Sequence, residues 1–363
     1  MSDNQFSIDD TTFEKILKKK TEMGFDKKSW DDWFNFLISS KQPQNDIQKI
    51  MEKANYEKWY NSWIKNFSLN LPDIWNEHSA KELTPSDNNL NDSFDTSAIV
   101  LGRGPSINKH NHLEKLANSD YRGSIICCDS ILIPALEAGI TPEKFPNFYV
   151  VTIDAGDDMM NFYDSEVVNQ YGSKINGIFG TVTSPLVLKR AREAKIKIHW
   201  LHCLFDFHEG KKSFNQISGL MVRAKNHTNG LPAIQTGGNA GTSSWFIGWR
   251  ILKCSTICLI GIDHGWNEND SWDKIISSGH ELDINLDRNN KMFKKLFPKI
   301  YNPEFDCTCI LDPIFKYYSN ALKEFISRSP DRLTTINSTG GGSIFGDRIN
   351  CMSFEKFLQE HPK

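Results

Sequence analysis

Six short segments of this chain combine residue types that do chemistry on phosphates and hydroxyls, and each stands where an apolar run stops. The first is Gly102-Arg103-Gly104-Pro105-Ser106, directly after Ala98 to Leu101. Gly102 and Gly104 can adopt backbone angles closed to other residues, so the chain can turn sharply and lie against a ligand's phosphates, while Pro105 fixes the exit. Ser106 or Asn108 would then cap a helix running to Ala117, giving an anion site at a helix start. A strand-to-helix turn without a ligand uses the same residues. The second is Asp129, at the end of Ser124 to Cys128. It is placed to bond a ribose hydroxyl or to cap the next helix, and the sequence does not choose.

The third segment ends an apolar run in Asp154, Asp157 and Asp158. Three carboxylates within five residues suit Mg²⁺, a hard ion that takes one or two carboxylates plus substrate phosphates. A solvated loop with a helix cap explains Asp157 and Asp158 equally well, whereas Asp154 alone falls on the strand tip. The fourth, Thr236 to Ser244, offers Gly237, Gly238, Asn239, Gly241 and Thr242 as small or donor-bearing groups for phosphate or ribose; tight helix-to-sheet packing is the alternative. It lacks the lysine of a P-loop. The fifth ends in Asp263 and His264, a carboxylate beside an imidazole that can act as general base, although a single histidine can equally be structural. The sixth, Asn337 to Ser343, is another glycine-rich turn that can close over the same cleft.

The elements that carry these segments alternate. Strands are expected at Ala98 to Leu101, Ser124 to Cys128, Phe148 to Ile153, Ile175 to Phe179, Ile196 to His202, Thr256 to Ile260 and Leu333 to Ile336. Helical periodicity lies between them, at Asn111 to Ala117, Ile131 to Ala138, Ser184 to Ala194, Asn239 to Leu252 and Ile314 to Ser327. That order predicts an α/β fold with a mostly parallel sheet and helices on both faces, whose ligands gather at the carboxyl ends of the strands.

Residues 1–80 read as an N-terminal helical appendage rich in tryptophan, 81–96 as a polar linker, 97–350 as the nucleotide-binding domain and 351–363 as a C-terminal helix. Residues 265–310 break the rhythm and read as an inserted lid or acceptor-binding segment. A net charge of −3 over 363 residues argues against nucleic acid as partner. No apolar run approaches the ~18 residues of a membrane span, and the polar N-terminus is unlike a signal peptide, so a cytoplasmic protein is expected. Most of the 8 cysteines sit inside apolar strands as small hydrophobes. Cys307 and Cys309 form a pair too sparse for a zinc site, and His199, His202 and His208 read as core or surface histidines.

Taken together, Gly102 to Ser106, Ala138 to Pro142 leading into Phe148 to Asp154, Gly237 to Thr242, Ile260 to Asp263 and Asn337 to Gly342 resemble the 6-hydroxymethylpterin diphosphokinase MptE-like family, over roughly residues 96–350 with 1–95 outside. The resemblance implies a Rossmann-like domain and, in one branch, Mg²⁺-dependent diphosphate transfer from ATP to 6-hydroxymethyl-7,8-dihydropterin. Other members resemble motility accessory factors and, distantly, bacterial sialyltransferases that use CMP-activated nine-carbon sugars. The pterin enzymes carry Asp-Leu-Asp-Gly where this chain has Thr152 to Gly156, and Thr-Asp-Gly-Asp where it has Asn239 to Thr242. The second difference removes acidic groups and leans toward the accessory-factor branch. The implied acceptor is a small molecule, pterin or glycan; the N-terminal helices, outside the resemblance, offer a surface for a second copy or another protein. A non-catalytic scaffold binding partners through those helices is a third reading.

Overall fold

The computed structural model describes residues 10–22, 29–30, 57–85, 96–205, 214–215, 218–219, 230–277 and 291–361. The chain divides into two compact units, Met1–Tyr56 and Glu57–Lys363. In the first, the helix Asp10–Glu22 carries Phe13, whose ring lies 5.8 Å from that of Trp30. The helical patterns expected between residues 31 and 50 lie outside the described residues, as does His208.

Among its described residues the second unit has thirteen strands: β1 His78–Ser79, β2 Ser97–Leu101, β3 Ser124–Cys128, β4 Phe148–Thr152, β5 Asn176–Gly180, β6 Lys197–Leu204, β7 Ala233–Gln235, β8 Thr256–Ile260, β9 Trp266–Asn267, β10 Lys299–Asn302, β11 Cys307–Ile310, β12 Thr334–Asn337 and β13 Ile349–Cys351. Ten of them form one sheet in the order β1-β6-β5-β4-β3-β2-β8-β12-β13, with β7 also on β6. Every pairing in it is parallel. From β2 the chain adds strands on one side through β6, then crosses to the other side of β2 to lay down β8, β12 and β13. The β2–β8 boundary is therefore a topological switch point, where open α/β sheets form a crevice.

Alternation along the strands builds two apolar layers, as a doubly covered sheet requires. Ile99, Leu101, Ile125, Cys127, Cys258 and Ile260 face one layer, with the helices His112–Ala117, Leu132–Glu137, Pro185–Glu193 and Phe354–Glu360. Ala98, Val100, Ile126, Cys128, Ile257 and Leu259 face the other, with Ala240–Phe246 and Pro313–Ser327. The fold is α/β and Rossmann-like.

Two boundaries differ from the sequence reading. The division falls after Tyr56 rather than at residue 80, because a helix over 57–76 is built into the sheet domain. Its Phe67 and Ile74 belong to the first apolar layer. Buried Asn66 donates to Ala155 O at 3.1 Å and Val182 O at 2.9 Å, and buried Asn70 donates to Thr181 O at 3.2 Å and Thr183 O at 2.8 Å. Arg192 bridges Asp73 and Glu77 at the end of the helix, and Trp200 Nε1 donates to Glu77 at 2.8 Å. The segment expected as an irregular lid is also ordered in its described parts: β10, β11 and β9 form an antiparallel sheet over a small core of Ile275, Phe293, Phe297 and Ile310. Among the described residues no helix is long and apolar enough to cross a membrane.

Asn70 ties the helix to two carbonyls in the loop after β5, and both are left unpaired by Asn70→Ala. Loss of about 2 kcal/mol in urea unfolding is expected; unchanged stability would mean water replaces the carboxamide.

Candidate functional site at the strand switch point

At the switch point the turns after β2 and β8 cross in contact. Gly102 N donates to Ile260 O at 2.9 Å and Gly104 N to Gly261 O at 2.8 Å. A Cβ on Gly102 would strike Gly261 O, one on Gly261 would strike Gly102 O, and one on Gly104 would strike the Asp263 carboxylate. Gly261 also has φ +66°. The glycines are required by this crossing, and the N–H groups expected to meet phosphate at Gly102 and Gly104 are spent on it. Ser106 does not cap the helix His112–Ala117: a separate turn, Ser106–Lys109, intervenes, and Asn111 precedes that helix. Instead Ser106 Oγ donates to Asp263 Oδ2 at 2.8 Å. Arg103 is exposed and lies over the Phe162 ring at 5.8 Å.

Beyond β2, Asp129 is buried at the tip of β3. Its oxygens accept from Ser130 N at 2.7 Å and Thr152 Oγ1 at 2.8 Å, and Tyr163 O–H donates to Thr152 Oγ1 at 2.7 Å. Burial pushes this carboxyl up to about 7, with Asp154 and Asp158 adding like charge against the hydrogen bonds. Of the two roles expected for it, helix capping is not taken, since Ile131 precedes the helix Leu132–Glu137 and makes no side-chain cap. Asp154 is solvent-exposed yet has protein close around it; partial desolvation raises its carboxyl despite bonds from Ala155 N and Gly156 N. Asp157 accepts from Ser184 Oγ at 2.5 Å.

Among the described residues no three His, Cys, Asp or Glu side chains converge as a metal cage, so the Asp154, Asp157 and Asp158 trio is not assembled. A Cβ on Gly156 would meet Asp158 Oδ1 at 2.5 Å and Asp154 Oδ1 at 3.9 Å, so these two carboxylates border the same glycine. Two carboxylates beside an open cleft fit Mg²⁺ that keeps most of its waters.

The Thr236 to Ser244 segment serves both expected purposes in different halves. Gly237 and Gly238 have φ of +56° and +83°, and Asn239 caps the helix by accepting from Thr242 N at 2.8 Å. Thr242, Ser243 and Ser244 are fully buried, and Gly241 packs on Ile262, which also touches Gly102. Packing accounts for 241–244, and 237–239 form the turn before the helix. Tyr317 and Tyr318, which no sequence signal marked, cover Gly238. Burial first, and then Asp154, raises the Tyr318 phenol, so Tyr318 joins the Gly238 side of the cleft to the Asp154 side.

After β8, Asp263 is buried and its carboxyl is pushed up to about 6 by burial, against the Ser106 hydrogen bonds. His264 departs from the expected general base. It has φ +40°, is buried, and stacks on Phe315 at 6.2 Å beside Tyr318 at 5.8 Å. Its Nδ1 has no partner among the described residues, and burial pushes it down to about 3, so the ring is neutral and weakly basic at neutral pH. The Asn337 to Ser343 turn clasps the same strand end: Ser343 N donates to Asp263 O at 2.9 Å and Ser343 Oγ to His264 O at 2.7 Å. His202 is a satisfied core histidine, bonded to Thr181 and Ser218, and His199 is buried beside His78.

The description 6-hydroxymethylpterin diphosphokinase MptE-like belongs to the family whose model matches residues 65–269, more than half of the chain. The chain belongs to this MptE-like family. The match begins inside the helix over 57–76, earlier than the residue 96 expected, in keeping with that helix's place in the sheet domain. It includes every strand-end segment but Asn337 to Ser343. Among curated proteins no match was found. A solved structure, the MAf glycosyltransferase from Magnetospirillum magneticum AMB-1, is similar with 16% identity and a TM-score of 0.48, covering 74% of this chain and 36% of that one. The chain thus spans little more than a third of that protein's length.

Two measurements probe this geometry. Gly104→Ala must displace Asp263 and is expected to cost about 1–3 kcal/mol in chemical denaturation; a neutral effect would show that the crossing can open. The folded chain keeps a proton on Asp129 up to about pH 7, whereas the unfolded chain releases it near pH ~4, so this group favours folding at low pH and that stabilisation is lost as pH rises through 7. Asp129→Asn is therefore expected to be more stable than the native chain at pH 8, by a difference on the order of 4 kcal/mol that vanishes below about pH 4. Parallel stability–pH curves for the two proteins would contradict the burial argument.

Proposed function

We propose that this chain is a nucleotide-dependent transferase that moves a diphosphate from ATP to the hydroxymethyl group of 6-hydroxymethyl-7,8-dihydropterin. The observation that carries the reading is the approach of Tyr318 both to Gly238 and to Asp154 beyond the strand ends of a parallel sheet, in a chain of this family. Ligands of such sheets bind at that crevice. Tyr317 and Tyr318 offer ring faces to a base, the small residues at 237–238 let a phosphate chain approach, and exposed Arg103 supplies a cation. Asp129, its oxygens engaged by Ser130 and Thr152, braces the tips of β3 and β4 and keeps lone pairs for a ribose hydroxyl.

Asp154, with Asp158 beside it, would hold Mg²⁺, which when bound neutralises phosphate charge. The chain's own work is positioning: the buried floor excludes water from one face of the cleft, and the glycine crossing holds it rigid. Glycosyl transfer from a CMP-activated sugar is the second reading, favoured by the acid-free Asn239 to Thr242 segment, where Asn239 is engaged in capping.

A thermal-shift series with ATP, CTP and CMP, each with and without Mg²⁺, tests both. ATP with Mg²⁺ is expected to raise the melting temperature by several degrees, Asp154→Asn to lose the Mg²⁺-dependent part, and AMP to form only when the hydroxymethyl-dihydropterin is added. Stabilisation by CMP in place of ATP would transfer the assignment to the sugar reading. No shift with any nucleotide at millimolar concentration would remove both and leave a binding module.

A further inference from the structure

We propose that a cavity on the β8 side of the Gly102 to Ser106 turn is the acceptor site of the transfer, and that Asp263 is the catalytic residue that takes the proton from the acceptor hydroxyl. The cavity has a volume of about 420 Å³. It is enclosed by Pro105 and Ser106 of the turn, Asp263 and Trp266 after β8, Thr308 of β11 and the glycines at 340–342. That size suits one small molecule. Arg103 lies over Phe162, whereas Pro105 and Ser106, two and three residues on, line the cavity. The inference rests on the nucleotide occupying the cleft of the preceding reading.

The chemistry of the walls points to the kind of ligand. The carboxylates of Asp263, Glu268 and Asp306 are acceptors, the amides of Asn267 and Asn269 both accept and donate, and Lys109 adds a cation. A ligand rich in N–H and O–H donors matches such a surface. Asp263 is the buried one of these carboxylates, held from behind by Ser106 Oγ at 2.8 Å. Its carboxyl, pushed up to about 6, is ionised at neutral pH and more basic than an exposed carboxylate. In the step, the acceptor O–H proton passes to the Asp263 carboxylate while the acceptor oxygen bonds to the β-phosphorus of ATP. The bond from that phosphorus to the bridging oxygen breaks, and AMP leaves with the electron pair.

Gly341 allows the cavity to be plugged without disturbing the backbone: its φ is not positive, and a Cβ there would meet Cys307 Sγ alone, at 3.6 Å. The probe is 6-hydroxymethyl-7,8-dihydropterin. Calorimetry is expected to show it binding the native chain and binding Gly341→Phe at least about tenfold more weakly, with the ATP thermal shift unchanged. If the bulky variant fails to fold, protection of Cys307 from alkylation by the bound probe in the native chain reads the same contact, since Cys307 lines the cavity. Asp263→Asn is expected to bind both ligands and to lower AMP-forming turnover by about 10²-fold. Equal probe binding by Gly341→Phe, unprotected Cys307, no binding of the pterin, or native turnover in Asp263→Asn would each overturn the assignment. A native chain that binds a probe at the Gly341 cavity but no nucleotide would overturn the nucleotide reading alone.

Discussion

Where β2 and β8 leave the sheet, two backbones pass so close that neither Gly102 nor Gly261 has room for a side chain, and each lends a backbone group to the contact. This crossing is the constraint on which the site depends. It follows from topology: strands laid down in opposite directions from β2 must part at that boundary, and a tight crossing sets the floor of the crevice. The crossing also places Asp263 against Ser106, 157 residues away in the chain, so one hydrogen bond fastens the first strand turn to the last segment of the core sheet before the insert.

Carboxylates at the strand ends share an electrostatic character. Asp129, Asp154 and Asp263 all lie above the ordinary carboxylate range because protein, rather than water, surrounds them. The acids that hold the structure together are treated differently: Asp73 and Glu77 are matched by Arg192, with Trp200 completing the set. Unmatched carboxylates at a crevice leave capacity for a cation or a donor-rich ligand, and such groups concentrate at functional sites. The aromatic helix Pro313–Ser327 completes the enclosure, with Tyr318 over Gly238 and Phe315 against His264.

The helix over 57–76 adds rigidity from outside the alternating pattern. Its two buried asparagines satisfy carbonyls in the loops after β4 and β5, the loops that carry Asp154 and Ser184. These loops are thus held by a segment that precedes the first core strand, which accounts for a family match that starts at residue 65.

The sequence by itself determined seven of the ten strands described in the main sheet, β2 to β6, β8 and β12, and left β1, β7 and β13 unread. Runs such as Ser124 to Cys128 and Thr256 to Ile260 are apolar after their first residue and end at Asp or Gly, so β3 and β8 could be read residue for residue, and the alternation with helices implied a parallel sheet with its site at the strand ends. It could also show that Gly102, Gly104, Asp154 and Asp263 stand at such ends. Only the tertiary structure decided what these residues do there. The glycine N–H groups look available in the sequence and are consumed by β8; His264 looks like a base and is enclosed by Phe315 and Tyr318; Ser106 looks like a cap and holds Asp263. Periodicity reports which face of an element is buried, because burial repeats with the backbone's own period. It carries no term for a partner more than a hundred residues away, and pairing, desolvation and basicity at this site are all set by such partners.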